Sequence, residues 1–135
     1  MRLEINRKTD LAIRTMNDLA QAGAKVKGAD LAVSAGTSNA FLAQVMMPLV
    51  RNGWVASEPG RNGGYELIAD TNDVSVLDVI EAVEGPTDTD ECVLRRGTCS
   101  LAEQCAAHAA WSTARAALLE TLASTPLAKI GEPAA

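Results

Sequence analysis

The chain has 135 residues, 47% of them hydrophobic and 3% aromatic, with a formal net charge of -5 at pH 7. That length allows one domain with a modest core, or a small domain with an appendage, and the core must be built from Ala, Leu and Val. Taken whole, the acidic balance argues against nucleic acid. No apolar run approaches membrane-spanning length and the MRLEINRKTD start has no signal-peptide character, so the chain reads as cytoplasmic, with reduced thiols and no membrane partner.

The charge is uneven. Residues 1–68 carry eight Lys and Arg against six Asp and Glu, whereas residues 69–135 carry four against eleven. A mildly basic half followed by an acidic half suits two tasks, so the chain divides into 1–70 and 71–135.

Along 9–22, Leu11, Ala12, Thr15, Met16, Leu19 and Ala20 form one helical stripe that Gly23 ends. KGADLAVSAG predicts a short helix anchored by Leu31 and Val33 and stopped at Gly36. After the Gly36-Thr37 turn, Ser38 is a good N-cap for a helix over 39–52, with Leu42, Val45, Met46, Leu49 and Val50 as its stripe. Pro48 removes one hydrogen bond there and threatens a bend in the last turn. Two short helices joined by a glycine-containing turn form a helix-turn-helix, whose second helix reads base edges with its N-terminal polar face. That face offers Ser38, Asn39, Ala40, Ala43 and Gln44, and Asn or Gln can each hold adenine through two hydrogen bonds. WVASEPGRNGGYELIA then predicts a hairpin, which after a helix-turn-helix is a wing. Its tip carries Arg61, Asn62 and Gly63, and an arginine there can enter a narrow minor groove. The bland alternatives are a packed helical pair and a solvated turn.

Ser75 and Asp78 have capping-box spacing ahead of a helix with Val76, Leu77, Ile80 and Val83 on one stripe, stopped by Gly85-Pro86. From Ala106 to Ser124 the chain reads as one long helix with Trp111, Ala114, Leu118 and Leu122 on one face, a pattern that suits a dimerisation helix projecting from a small domain. The IGEPAA tail reads as frayed. The expected fold is mainly α with a small β-hairpin: a winged helix-turn-helix plus a long C-terminal dimerisation helix.

The segment CVLRRGTCSLAEQCAAH holds all three cysteines and the sole histidine at Cys-x6-Cys-x5-Cys-x2-His. Thiolate and imidazole are the ligands that soft and borderline metals prefer, so Cys92, Cys99, Cys105 and His108 point to one metal site. If LAEQCAAHAAW is helical, Cys105 and His108 are i and i+3 neighbours near a helix N-terminus, where the dipole favours a thiolate. Inert buried cysteines explain one or two of the three. The spacing leaves an iron–sulfur cluster and a structural Cys3His zinc open, although five and six intervening residues are wide for zinc. No enzyme is expected, because the only histidine is tied into this segment and no nucleophile–base–carboxylate set is visible.

With these motifs in place, the chain resembles the IscR/NsrR-type family of iron–sulfur winged-helix transcription regulators over nearly its whole length. The resemblance rests on the MRL start, TDLAIR, NGWVASEPGRNGGYEL, SVLDVIEAVEG and the cysteine segment ending in CAAHAAW. It implies a homodimer with crossing C-terminal helices, and a cluster near the interface whose state changes affinity for a pseudo-palindromic operator in double-stranded DNA. By position, Cys92, Cys99 and Cys105 match the three cysteine ligands. His108 matches the histidine of the cluster-biogenesis branch, and Asp10 matches an aspartate that the nitric-oxide-sensing branch supplies from the partner subunit. The first cysteine loop is one residue longer than the Cys-x5-Cys usual in those relatives. A histidine ligand favours [2Fe–2S], whereas three thiolates plus a carboxylate favour [4Fe–4S]; His108, brought in by the same backbone as Cys105, is preferred. The implied function is a regulator, most simply a repressor, that senses iron–sulfur status, redox stress or nitric oxide. The alternative is a winged-helix DNA-binding protein with a structural zinc.

Overall fold

The computed structural model describes residues 2–87, 89–94, 97–99 and 102–131. The first helix, α1 (Arg7–Ala22), starts two residues earlier than its stripe predicts, because the Asn6 side chain caps it by accepting from the Thr9 amide at 2.8 Å. The helices α2 (Gly28–Ala35) and α3 (Asn39–Arg51) follow, joined through Gly36, which takes the left-handed conformation at φ 68. Ser38 caps α3, and the helix continues through Pro48, whose buried ring faces the core. The wing strands β1 (Val55–Glu58) and β2 (Gly64–Leu67) pair antiparallel with Val55 opposite Leu67 and Glu58 opposite Gly64, each one residue displaced from the strands the sequence predicts, Trp54–Ser57 and Tyr65–Ile68. The helix α4 (Val76–Glu84) begins with the full Ser75–Asp78 capping box. The long helix is α5 (His108–Ala123), and a short α6 (Leu127–Ile130) closes the described chain.

One core joins these elements. Leu11, Met16 and Leu19 of α1 meet Leu42, Val45, Met46 and Leu49 of α3, with Val79 and Ile80 of α4 and Leu127 of α6 in the same cluster. The division expected at residues 70 and 71 falls between β2 and α4, and the core runs across it. Several sequence expectations change. Ala20 and Val50, expected on the stripes of α1 and α3, are exposed. Val33 is 81% exposed, and Leu31 with Ala32 anchor α2 instead. Val79, absent from the expected stripe of α4, is fully buried, while Leu77 is half-buried. The chain does not simply leave the domain along α5. It turns at Pro126 and returns Leu127, 0% exposed, to the core, where the Leu127 amide donates to the Val74 carbonyl and the Val76 amide to the Thr125 carbonyl. Most of the tail expected to fray lies outside the described residues. Among the described residues no helix is long and apolar enough to cross a membrane.

Candidate metal centre and nucleic-acid interface

Ser38, Asn39, Ala40, Ala43 and Gln44 are all exposed at the N-terminal end of α3. Ser38 has a structural task as well, since its Oγ accepts from the Phe41 amide at 3.1 Å. Beside it lies a residue the sequence reading passed over. The Arg7 guanidinium stands 5.8 Å from the Phe41 ring centroid, and Arg7, Gly36, Thr37, Ser38 and Phe41 line one depression. The Arg7-Lys8 pair just before TDLAIR was the available signal.

Arg61 and Asn62 are exposed at the wing tip, as the hairpin predicts. Gly63 is buried instead: an added Cβ would lie 2.0 Å from the Glu58 carbonyl oxygen, so this glycine shapes the turn and offers no contact surface. At Gly64, with φ 153, an added Cβ would lie 2.2 Å from the Val26 carbonyl oxygen. That closeness serves a bridge in which Val26 and Tyr65 exchange two backbone hydrogen bonds of 2.8 Å each. Lys25 pairs with Glu58 and also reaches the Asn62 carbonyl at 3.5 Å. The wing is therefore braced along its length by the 25–26 segment.

At the start of the cysteine segment, 90–92 and 97–99 pair antiparallel. Glu91 bridges Thr98, the Cys92 amide donates to the Gly97 carbonyl at 3.0 Å, and the Cys99 amide donates to the Asp90 carbonyl at 2.6 Å. Asp90, at φ 55, is the described non-glycine residue in the left-handed region, a place aspartate tolerates. Arg95 and Arg96 lie outside the described residues. Leu101 lies outside the described residues; the helix expected over LAEQCAAHAAW does not form at 102–107, where 102–103 bend and 106–107 turn, and His108 is the first residue of α5. The two ligand candidates are held together by a turn, with the His108 amide donating to the Cys105 carbonyl at 3.0 Å.

All four candidates line one cavity of about 340 Å³, together with Asp90, Glu91, Trp111, Ser112 and Arg115. Cys105 is buried, and Cys92, Cys99 and His108 are half-buried. Cys99 Sγ lies 3.0 Å from His108 Nδ1, and Nε2 of the same ring faces Ser112 Oγ at 3.4 Å. The Cys99 thiol is held above its ordinary value by desolvation first, then by the Cys92 and Cys105 sulfurs, with Arg115 opposing. Among the described residues no three His, Cys, Asp or Glu donors close tightly enough to hold a single metal ion. The donors instead surround a space. Ser112 and Arg115 were not singled out from sequence, though both follow one helical face after His108. Asp10 is not in the cavity lining; it pairs with Arg14 one turn along α1.

Beyond this cavity α5 is poorly covered. None of its 16 residues is buried, and Leu3, Ala110, Trp111, Ala114, Arg115 and Leu118 line a mostly apolar groove of about 470 Å³.

The chain is similar to known proteins over much of its length. The profile of the Rrf2 family, described as an iron-dependent transcriptional regulator, matches residues 5–133. The chain is 36% identical over 86 residues to Rv1287 of Mycobacterium tuberculosis strain H37Rv, named as an HTH-type transcriptional regulator, which covers 62% of this chain and 53% of that protein. It thus spans about half the length of that relative. It is 34% identical over 112 residues to the HTH-type transcriptional regulator IscR of Escherichia coli O1:K1, covering 81% of this chain and 68% of the relative. In three dimensions it matches CymR, the global cysteine regulator of B. subtilis, with a TM-score of 0.79 and 27% identity over 96% of this chain and 97% of that one. It also matches T. potens IscR with a TM-score of 0.70 and 27% identity, over 95% and 85% of the two chains. The chain belongs to the Rrf2 family of transcriptional regulators.

Proposed function

We propose that this chain is a DNA-binding regulator, most simply a repressor, whose operator affinity depends on an iron–sulfur cluster held by Cys92, Cys99, Cys105 and His108. The observation that carries this reading is the meeting of all four side chains in one cavity. Three thiols and an imidazole are the donor chemistry of such clusters. The five and six residues between successive cysteines are wide for a zinc site, which favours the cluster over a single zinc ion. With a histidine ligand, a [2Fe–2S] centre is favoured over [4Fe–4S]. When bound, the group supplies an oxidisable and removable tie between Cys92, Cys99 and the start of α5.

The chain's own residues supply the rest of the reading. Ser38, Asn39, Ala40 and Gln44 face a major groove, and Arg61 and Asn62 reach the flanking minor groove. A homodimer formed along α5 presents two such units to a pseudo-palindromic duplex, with half-sites about one helical turn apart. The similarity to two IscR proteins supports this, and the likeness to CymR keeps the sensed signal a separate question.

Anaerobic purification followed by iron and sulfide counts tests the centre. A coloured protein with matched iron and acid-labile sulfide is expected. A colourless protein with one tightly held zinc overturns the cluster and leaves a structural Cys3His site. Titrating metal-free and loaded chain against DNA tests the regulation, and equal affinities overturn it.

A further inference from the structure

Glu84, the last residue of α4, reaches the N-terminus of α1. Its Oε1 accepts from Thr9 Oγ1 at 2.6 Å and from the Asn6 amide at 2.9 Å. Thr9 is fully buried; its hydroxyl lies 3.1 Å from Asn6 Oδ1 as well, but the shorter contact is to Glu84, 75 positions away in sequence. The α1 cap does not need this contact, because Asn6 already satisfies the Thr9 amide at 2.8 Å. What Glu84 adds is a fixed position of α1 relative to the end of α4.

One turn earlier on the same helix, Glu81 Oε1 accepts from the Thr87 amide at 3.1 Å and from Thr87 Oγ1 at 2.6 Å. Thr87 opens the segment that leads to Cys92. A single turn of α4 therefore grips both the start of the cysteine segment and the start of α1. From α1 the contacts continue outward. Arg7 lies over Phe41, and the Phe41 amide is held by Ser38 at the exposed end of α3. These contacts run from Thr87, five residues before Cys92 in the sequence, to the exposed N-terminal end of α3.

We propose that Glu84 is a positioning residue that couples the state of the cysteine segment to the recognition helix through Thr9 and the N-terminus of α1. The proposal rests on the metal-dependent DNA-binding reading above. Movement of Thr87 pulls on Glu81, tilts the C-terminal turn of α4, and shifts α1 with the Arg7–Phe41 contact. A residue that only stabilised the fold would affect both states of the protein equally.

The test uses the full chain, metal-free and after anaerobic loading with iron and sulfide, as wild type, Glu84→Leu, Glu84→Gln and Thr9→Val. Affinity is measured for a labelled duplex selected from a random pool by loaded wild type. Hydrogen exchange of peptides covering 6–14 and 38–44 is followed in both states. Wild type should show a loaded-to-free affinity ratio in the usual coupling range of roughly 5–150-fold. Glu84→Leu and Thr9→Val should bring that ratio towards one and abolish the loading-dependent exchange change in 38–44. Glu84→Gln, which keeps an acceptor oxygen, should restore both. If Glu84→Leu and Thr9→Val lower only the melting temperature and keep the wild-type ratio, the coupling role is wrong while the metal-dependent reading stands. If wild type itself binds equally in both states, that reading fails, and unchanged exchange in 38–44 on loading then overturns the coupling as well. Should Glu84→Leu not fold, the near-isosteric Thr9→Val carries the test.

Discussion

His108 and Asp10 show how much a single side chain's surroundings decide. His108 has one ring nitrogen on Cys99 and the other on Ser112, so its ring is already aimed into the cysteine cavity from within the same subunit. Asp10 is engaged by Arg14 on its own helix, an exposed pair of the kind worth about 0.3–0.5 kcal/mol. His108→Ala should therefore change the visible spectrum and shorten the lifetime of the iron–sulfide-loaded protein, while Asp10→Ala leaves both as in wild type. The reverse pattern would make Asp10 the fourth ligand. Arg61 belongs to the same scale. It is exposed on a wing held by Lys25 and Val26, so Arg61→Ala should weaken DNA binding and flatten its salt dependence without moving the melting temperature. Wild-type affinity in a salt titration would remove the wing from the interface.

At the scale of elements, α3 and α6 carry opposite lessons. The α3 cap is local, and Ser38→Ala should cost about 1 kcal/mol in denaturant unfolding through the lost bond to the Phe41 amide. The short α6 is built from good helix formers but at four residues is too short to stand alone, and it exists because Leu127 fills the core. Leu127→Ala should accordingly cost about 2–5 kcal/mol, measured the same way. A cost below that of the Ser38 variant would mean that α6 is not part of the folding unit.

For the whole molecule, α5 poses the question of partnership. A 16-residue helix with no buried residue and an apolar groove beside it is a poor element for a lone subunit. Leu118 is 47% exposed in that groove. If α5 carries the proposed dimer, Leu118→Glu should shift the protein to monomer in light scattering while leaving its helix content unchanged. An unaltered mass would move the proposed interface off this face. Because one core spans α1, α3, α4 and α6, this substitution tests assembly apart from folding.

What the sequence determined by itself is local. The Ser75–Asp78 box, the Ser38 cap and the Gly36 stop each act within four residues, and all three stand where spacing puts them. The period of Leu42, Val45, Met46 and Leu49 likewise fixed the buried face of α3, and the donor types of the cysteine segment were readable from identity alone. Tertiary structure decided whatever depends on who covers a surface. Val33 is exposed and Val79 buried because coverage comes from α1 and α3, which periodicity inside one helix does not record. Helix α5 starts at His108 because the chain must first turn back to bring Cys105 beside Cys92 and Cys99, and that closure overrides the helix propensity of LAEQCAA. The contact of Glu84 with Thr9 lies furthest beyond the sequence: two polar side chains 75 residues apart meet only because α4 packs across α1.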